Sequence, residues 1–403
     1  MPTPMPPIIP RTIFTILLTA LCVTLAYGKD QPTAETPPEN NTPLIHSATE
    51  IETAIDRGVA FLLKDQNKDG SWGSAHHTKG LNIYAPNPIA THQAFRAAVT
   101  AMSVIALIES GHPDKSPEAL EALKRGETWL MEELPQVRRA TADAMYNVWT
   151  HGYGIQALVL MHKRAKAAGK ADEVLAIDDL IRQQIDRLQR YESVAGGWGY
   201  YDFRAGTKQP ATSSISFTTA TALVALHEAK KIGIDVPDKL VKRAIAAIGR
   251  QRKSDNSYMY GEYLKMRPLY GINRPGGSLG RSQACNIALR YWGDKTITDE
   301  VLVTWLDRLR DRNGWLSIGR KRPVPHESWF AVAGYFFYYG HYYASLCVED
   351  LPPEKSTALN NDLAHLMLSL QEKDGDWWDF PLYNYHRQYG TSFAIMTLSR
   401  CRP

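Results

Sequence analysis

Hydrophobic and polar positions divide the chain after residue 46 into two kinds of segment, both with helical periodicity. The first kind is amphipathic, as in residues 47–66, where apolar side chains recur every three or four positions. Ser47 and Glu50 form the sequence pattern of a capping box at its start. The second kind is apolar on every face, as in residues 97–108, and such a helix has to be buried on every face.

The two kinds of segment alternate six times along the chain. Further amphipathic segments begin at 116 and cover about 171–190, 237–252, 298–310 and 354–372; further apolar segments cover about 153–162, 217–229, 282–292, 332–348 and 390–399. Leu107 and Leu398, near the ends of the first and last apolar segments, give a period of about 58 residues. An open solenoid would expose its terminal apolar segments. The pattern therefore predicts an all-α fold, an (α/α)6 toroid of six outer and six inner helices.

The junctions that join an amphipathic segment to the next apolar one share a short motif. It occurs at residues 66–72 (QNKDGSW), 196–198 (GGW), 313–315 (NGW) and 371–377 (QEKDGDW). Asp-Gly or Asn-Gly ends the outer helix because these residues tolerate a positive φ. We expect the tryptophan to pack back over the end of that helix.

This Gln-x-x-Asp-Gly-x-Trp motif resembles the QW repeat of the squalene–hopene cyclase and protein prenyltransferase superfamily. Residues 389–394 (YGTSFA) resemble the start of an inner helix in that family. The resemblance extends over about residues 47–400 and implies the α/α-toroid fold. Because the repeat is structural, it does not specify an activity.

The motifs that carry the chemistry of this superfamily are missing from the sequence. The Asp-x-Asp-Asp acid of class II cyclases, the Asp-Asp-x-x-Asp magnesium motif of class I enzymes and the Gly-Cys-Gly-Glu-Gln thioester are all absent. His341 resembles the zinc-binding histidine of the prenyltransferases, but the Asp-x-Cys partner is lacking, and one ligand makes no zinc site. The sequence therefore predicts neither a metal site nor a cofactor.

Polar and aromatic residues are concentrated at the predicted starts of the inner helices, which should converge on one end of the toroid. Convergent polar groups in a concave site are typical of ligand binding. The catalytic candidates are His151, Asp202, His341 and His386. The ligand-binding candidates are His92, Asn147, Tyr200, Tyr201, Arg274, Trp329, Tyr342, Tyr385, Arg387 and Tyr389. A further cluster, Asp374, Asp376 and Asp379, suits either acid chemistry or ordinary turn formation.

These residues leave three functions open, and with them the question of whether the protein is an enzyme. The first is a binding protein whose Tyr/Trp/His-lined cavity holds an apolar or isoprenoid-like ligand, or a protein partner. The second is a polysaccharide lyase-like enzyme that uses Asn147, His151, Tyr342, His386 and Arg387. The third is a divergent terpenoid cyclase with Asp202 or Asp376 as its acid.

The N-terminus has the composition of an export signal. Arg11 precedes an apolar run over residues 12–26, and Ala26-Tyr27-Gly28 is a small-x-small cleavage pattern. The run is shorter than the roughly 20 residues that span a bilayer, although an uncleaved anchor and contact with a membrane remain the alternative. We therefore expect a signal peptide at 1–28, a flexible linker at 29–46, a toroid domain at 47–403 and a periplasmic or secreted location.

Charge and cysteine content add two expectations. With 46 basic and 42 acidic residues the net charge is +4, which does not suggest a nucleic-acid partner. Cleavage after Gly28 leaves Cys285, Cys347 and Cys401, which we expect to be buried thiols, with a Cys285–Cys347 bridge as the alternative. The oligomeric state is not predicted.

Overall fold

The computed structural model describes residues 45–79, 92–137, 146–199, 201–202, 213–326 and 329–403, with the backbone alone for 146, 147, 201, 202 and 329. The α-helices of these residues are α1 Ala48–Asp65, α2 Gln93–Ser110, α3 Pro117–Glu133, α4 Trp149–Ala167, α5 Ala171–Arg190, α6 Ser216–Lys231, α7 Asp238–Gln251, α8 Ser282–Tyr291, α9 Asp299–Asp311, α10 Asn313–Ser317, α11 Phe336–Glu349, α12 Pro353–Ser369 and α13 His386–Arg400. A two-residue strand, β1 Tyr146–Asn147, pairs antiparallel with β2 Tyr201–Asp202.

Six of these helices form a closed inner ring, as the alternation of apolar segments predicts. Contacts run from α2 to α4, α6, α8, α11 and α13, and α13 returns to α2. The amphipathic helices α1, α3, α5, α7, α9 and α12 each come before an inner helix in the chain and pack outside the ring. The architecture is the predicted (α/α)6 toroid, with the short helix α10 added between α9 and α11.

Tryptophans in three junction loops link the outer helices α1, α5 and α12 to the inner helices that follow them. Trp72, Trp198 and Trp377 are fully buried. Each indole N–H donates to a carbonyl near the end of the preceding outer helix, at Leu62, Leu188 and Met367, over 2.8 Å. Each backbone N–H donates to a threonine hydroxyl of the following inner helix, at Thr100, Thr219 and Thr391, over 3.0–3.1 Å. The tryptophans therefore pack over the helix ends, as expected.

The glycines of these loops approach the next outer helix too closely for a side chain. Gly70, Gly196 and Gly375 have φ values of 91°, 94° and 92°. A Cβ at each would lie 2.5 Å from the carbonyl oxygen of Arg125, Arg243 and Arg57, respectively. Because Arg57 belongs to α1, the loop after α12 contacts the first outer helix.

Two junctions differ from the sequence prediction. The assignment of residues 313–315 to the motif is wrong, because they start helix α10 and leave Trp315 40% exposed, packed on Phe330. Residues 251–258 (QRKSDNSY) form a junction that the prediction missed. There Asn256 supplies the positive φ, and the buried Tyr258 donates its N–H to Ser278 Oγ over 3.1 Å. Tyrosine and asparagine replace the tryptophan and glycine of the other loops.

Three further expectations can be compared with the described residues. Ser47 and Glu50 form the predicted capping box. Cys285, Cys347 and Cys401 are free and buried, so the alternative of a Cys285–Cys347 bridge is wrong. Helix α11 begins at Phe336, four residues later than predicted. Within the described part of the chain, no helix combines the length and the apolar character that a membrane span needs.

Candidate functional site

An aromatic cavity of about 80 Å³ lies at the end of the ring where the inner helices begin. Its wall comes from α2, α4, α11, α13 and the loops before the last two. The lining residues are Phe95, Ala98, Val99, Met102, Trp149, Tyr153, Pro325, Tyr335, Tyr339, Phe380, Leu382, Tyr385, Tyr389 and Phe393. Apart from tyrosine hydroxyls, the Trp149 indole N–H and the Met102 sulfur, these side chains are hydrocarbon, so this wall selects for apolar surface.

The aromatic side chains recur at four-residue spacing on the inner helices. Trp149 and Tyr153 form one such pair, and Tyr385, Tyr389 and Phe393 form a longer series. Residues four apart lie one above the other on the same helix face. The face that carries them on each helix therefore points into the ring.

A layer of hydrogen-bonded tyrosines fills the ring below this cavity. Tyr343 Oη donates to Thr221 Oγ1 over 2.9 Å, and the Tyr339 hydroxyl lies 3.0 Å from the same threonine. Tyr339 Oη also donates to the carbonyl oxygen of Phe217 over 3.0 Å. Burial raises the pKa of Tyr343 to about 12, so its hydroxyl stays protonated at neutral pH.

Two of the predicted ligand-binding residues, Tyr385 and Tyr389, line the aromatic cavity. A third, His92, lies directly behind Tyr385, and its Nδ1 shares a 3.1 Å hydrogen bond with the Tyr385 hydroxyl. Burial lowers the pKa of His92 to about 4, so its ring is neutral at pH 7. His92 therefore positions a tyrosine of the wall.

The structure does not gather the three described catalytic candidates around one point. The Nδ1 atom of His151 lies 2.8 Å from Gln184 Oε1 of outer helix α5. His341 donates from Nδ1 to the Phe337 carbonyl oxygen, and its Nε2 lies 2.7 Å from Asn313 Nδ2, behind the inner ring. Burial lowers the pKa of both histidines to about 4.

His386, the third catalytic candidate within the described residues, begins α13. Its Nδ1 donates to the Tyr383 carbonyl oxygen over 2.7 Å, and its ring packs edge-on against Trp378. Burial also lowers the pKa of His386. The three histidines thus contact three different parts of the fold, and this arrangement gives no support to a shared catalytic site.

The other described ligand-binding candidates lie away from the aromatic cavity. Arg274 is exposed and donates to the Leu269 carbonyl oxygen over 2.9 Å. Arg387 pairs with Asp374 over 2.9 Å and with Asp376 over 2.6 Å. Tyr342 reaches the opposite end of the ring.

The predicted residue Tyr200 and the side chains of Asn147, Tyr201, Asp202 and Trp329 lie outside the described part, so their roles stay predictions.

Asp379 carries the most unusual electrostatics near the cavity. Its side chain is fully buried; the Tyr389 hydroxyl donates to Oδ1, and the Tyr338 N–H donates to Oδ2 over 3.1 Å. Burial raises the pKa of Asp379 to about 7 despite these hydrogen bonds. A proton held near neutral pH therefore lies one hydrogen bond behind Tyr389 of the cavity wall.

Asp65 at the end of α1 and Asp69 in the loop that follows already have protein partners. Asp69 pairs with Arg96 over 2.5 Å and accepts from Ser71, and Asp65 accepts from Gln388 over 2.5 Å. Within the described ranges, no group of three or more His, Cys, Asp or Glu side chains is placed to hold a metal ion.

Of the residues that line the cavity, the sequence candidates included only Tyr385 and Tyr389; among those missed are Phe95, Trp149, Tyr153, Tyr339 and Phe393. Sequence reasoning favoured polar residues at the helix starts, which cap, pair and position neighbouring groups. The signal that finds the wall is the series of aromatic residues four apart, because it marks a single face of an otherwise uniformly apolar helix.

Comparison with solved structures shows the same toroid in enzymes of different chemistry. The chain superposes on the type II terpene cyclase MstE from Scytonema, in complex with merosterolic acid A, with a TM-score of 0.53 at 14% identity, over 88% of this chain and 98% of that one. It superposes on the α-1,6-mannanase GH76A of Salegentibacter sp. HEL1_6 with a TM-score of 0.54 at 9% identity, over 87% and 99%. For cellobiose 2-epimerase from Spirochaeta thermophila the TM-score is 0.54 at 13% identity, over 88% and 97%.

Sequence comparison gives a shorter match. Lanosterol synthase erg7A from Aspergillus fumigatus is 29% identical over 115 residues, which are 27% of this chain and 14% of that protein. No family model matches the chain. The chain therefore has the α/α-toroid fold of the terpene cyclases, a fold that it also shares with sugar-processing enzymes.

Proposed function

We propose that this chain binds an apolar, isoprenoid-like ligand by inserting one end of it into the aromatic cavity. The observation that carries the proposal is the cavity wall, in which aromatic and aliphatic side chains from four inner helices enclose one space. A sugar needs polar partners for each hydroxyl, and the polar side-chain groups of the described wall are tyrosine hydroxyls and one indole N–H, that of Trp149. The fold shared with a terpene cyclase is consistent with an apolar ligand.

The size of the cavity restricts what enters it. Its volume of about 80 Å³ is roughly half that of the ~150 Å³ engineered cavity that binds benzene. A single prenyl end of a longer chain matches this space better than a complete polycyclic hydrocarbon. The ligand class is therefore one with a branched, unsaturated terminus.

The test uses geraniol as the probe and Ala98→Leu as the variant that fills the cavity. Ala98 lines the wall and is 7% exposed, so three added carbons occupy the ligand space. Ala60→Leu, on the exposed face of α1, is the matched control. Equilibrium dialysis with mass spectrometry should show geraniol retained by the wild type and the control, and retained at least tenfold less by Ala98→Leu. Equal retention by Ala98→Leu, or no retention by the wild type, contradicts the proposal.

A divergent cyclase is the second candidate, and the Asp379–Tyr389 pair favours it. This scheme starts from protonated Asp379, which donates to Tyr389 in the reverse of the hydrogen bond that the structure shows. Tyr389 then gives its own proton to an alkene carbon of the ligand and takes the Asp379 proton. The resulting carbocation is attacked by a second alkene of the ligand, which forms the ring. The cyclised cation then loses a C–H proton, and this proton returns to the Asp379–Tyr389 pair. Incubation with geranylgeraniol, followed by gas chromatography and mass spectrometry, should give a cyclic isomer with the wild type and none with Asp379→Asn. Unchanged geranylgeraniol with the wild type contradicts this candidate.

We also propose contact with a membrane surface through the loop at residues 263–270. Met266 and Leu269 are 92% and 74% exposed, and Lys265 and Arg267 lie beside them. Apolar side chains flanked by cations suit the interface of an anionic bilayer. The wild type should sediment with phosphatidylglycerol vesicles more than Met266→Ser/Leu269→Ser does; equal sedimentation contradicts the proposal.

The chain is further proposed to be exported, on the strength of residues 11–28 alone. Full-length protein produced in a Gram-negative host should be recovered from the periplasm with Lys29 as its first residue. Recovery from the cytoplasm with an intact N-terminus contradicts this.

A further inference from the structure

A second cavity, the polar pit, lies at the opposite end of the ring, where the inner helices finish. Its volume is about 670 Å³, much larger than that of the aromatic cavity. All six inner helices contribute to its wall. A concave site of this size accepts a small molecule.

The floor of the polar pit is formed by Tyr342 and Gln156. Tyr342 Oη donates to Gln156 Oε1 over 3.3 Å, and the Tyr342 ring packs against Phe393 at 5.2 Å between centroids. Phe393 lines the aromatic cavity on its other side. A layer of aromatic side chains thus separates the two cavities, and a ligand of one does not reach the other.

The wall of the polar pit is charged, and its arginines are already paired. Arg400 binds Glu109 through two hydrogen bonds of 2.6 and 2.7 Å, and it also contacts Glu349 over 3.1 Å. Arg290 pairs with Asp350 over 2.5 Å. Each carboxylate therefore has a fixed orientation and retains lone pairs for further hydrogen bonds.

The remaining charges are also nearly balanced. Glu228 lies 3.5 Å from Lys231 and 4.0 Å from Lys163, and Lys295 stands exposed at the rim. In total the lining holds five basic and four acidic side chains. Apart from Lys295 at the rim, every charged side chain of the wall has a partner that an ionic ligand would have to displace, whereas a neutral polar ligand can add hydrogen bonds to intact ion pairs.

Gln156 places a polar group in the floor of the polar pit. It is 7% exposed, its Oε1 accepts from Tyr342, and its side chain also hydrogen-bonds Tyr343. Two tyrosines of the aromatic layer therefore hold this amide in place beneath the charged wall.

We propose that the polar pit binds a neutral polyhydroxylated molecule the size of one or two sugar rings. Hydroxyl groups donate to the paired carboxylates and accept from the arginines and the lysines. The rings of Tyr291 and Tyr342 provide apolar surface for the face of a sugar ring. This site is separate from the aromatic cavity and does not depend on what binds there.

The test is saturation-transfer-difference NMR of the folded chain with D-glucose, D-mannose and cellobiose. Leu160, half-buried on the wall of the polar pit, is replaced by tryptophan to fill it. Leu175→Trp, on the exposed face of α5, is the matched control, since Leu175 is 61% exposed. Thermal unfolding of each variant verifies that it is folded.

The proposal predicts saturation transfer to at least one of the three sugars with the wild type and Leu175→Trp. The signal should fall at least fivefold with Leu160→Trp and persist with Ala98→Leu, which blocks only the aromatic cavity. Absence of transfer to all three sugars overturns the proposal. An undiminished signal with Leu160→Trp, or displacement of the sugar by millimolar citrate in a salt-dependent way, overturns it as well.

Discussion

At the residue scale, Asp379 shows how burial sets the charge of one side chain. Burial raises its pKa from 3.8 to about 7, so the folded protein binds a proton that the unfolded chain releases above pH 3.8. This contribution to stability is fully present below pH 3.8 and is lost as the pH rises to about 7. Asp379→Asn removes the titration, so we expect its free energy of unfolding relative to the wild type to rise by up to about 1.4 kcal/mol per pH unit in this window.

Urea unfolding of both proteins between pH 4 and pH 8 measures this difference. The asparagine also disturbs the hydrogen bond from the Tyr338 N–H, but that cost does not depend on pH, so only the slope tests the prediction. Asp374→Asn is the matched control, because Asp374 is 73% exposed. Parallel stability curves for Asp379→Asn and the wild type would show that Asp379 has an ordinary pKa.

At the scale of elements, the junction loops depend on hydrogen bonds that cross from loop to inner helix. The buried N–H of Trp377 donates to Thr391 Oγ1 over 3.1 Å. Thr391→Val keeps the volume and removes the acceptor, so the free energy of unfolding should fall by about 1–3 kcal/mol. Thermal or urea denaturation measures the loss, with Thr391→Ser as the variant that keeps the acceptor. A valine variant as stable as the wild type would mean that the hydrogen bond contributes nothing.

At the scale of the whole molecule, ring closure brings the last helix against the first inner helix. Arg400 of α13 binds Glu109 of α2, and the two side chains are 16% and 18% exposed. Arg400→Met leaves Glu109 without its main partner in a partly buried site. We expect a loss of about 2–4 kcal/mol in the free energy of unfolding, with partial recovery in Arg400→Met/Glu109→Met.

Urea unfolding of the single and double variants measures this coupling, and Arg310→Met on outer helix α9 is the control, because Arg310 is 45% exposed. If Arg400→Met unfolds at the wild-type urea concentration, the ion pair does not stabilise the closed ring.

The sequence predicted the helices well because an outer helix is buried on one face and an inner helix on every face. The two kinds of helix therefore have different patterns of apolar and polar residues. Outer and inner helices, their order and the loop tryptophans Trp72, Trp198 and Trp377 follow from local composition. The loop at 251–258 was missed because Tyr258 and Asn256 replace the expected residue types. Arginines such as Arg57 and Arg243 donate hydrogen bonds to carbonyl oxygens of the junction loops. The sequence did not predict them because their partners lie on a neighbouring helix pair.

By itself, the sequence determined the fold class and the number of helix pairs, since a 58-residue alternation of amphipathic and apolar segments has few other ways to bury its surface. Only the tertiary structure decided which side chains share a cavity. His151, His341 and His386 occupy similar places in the sequence pattern, yet rotation of each helix about its axis points them at different neighbours. The same rotation brings Tyr153, Tyr339 and Phe393 together around one apolar space, because packing between helices fixes those rotations and a single helix does not encode them.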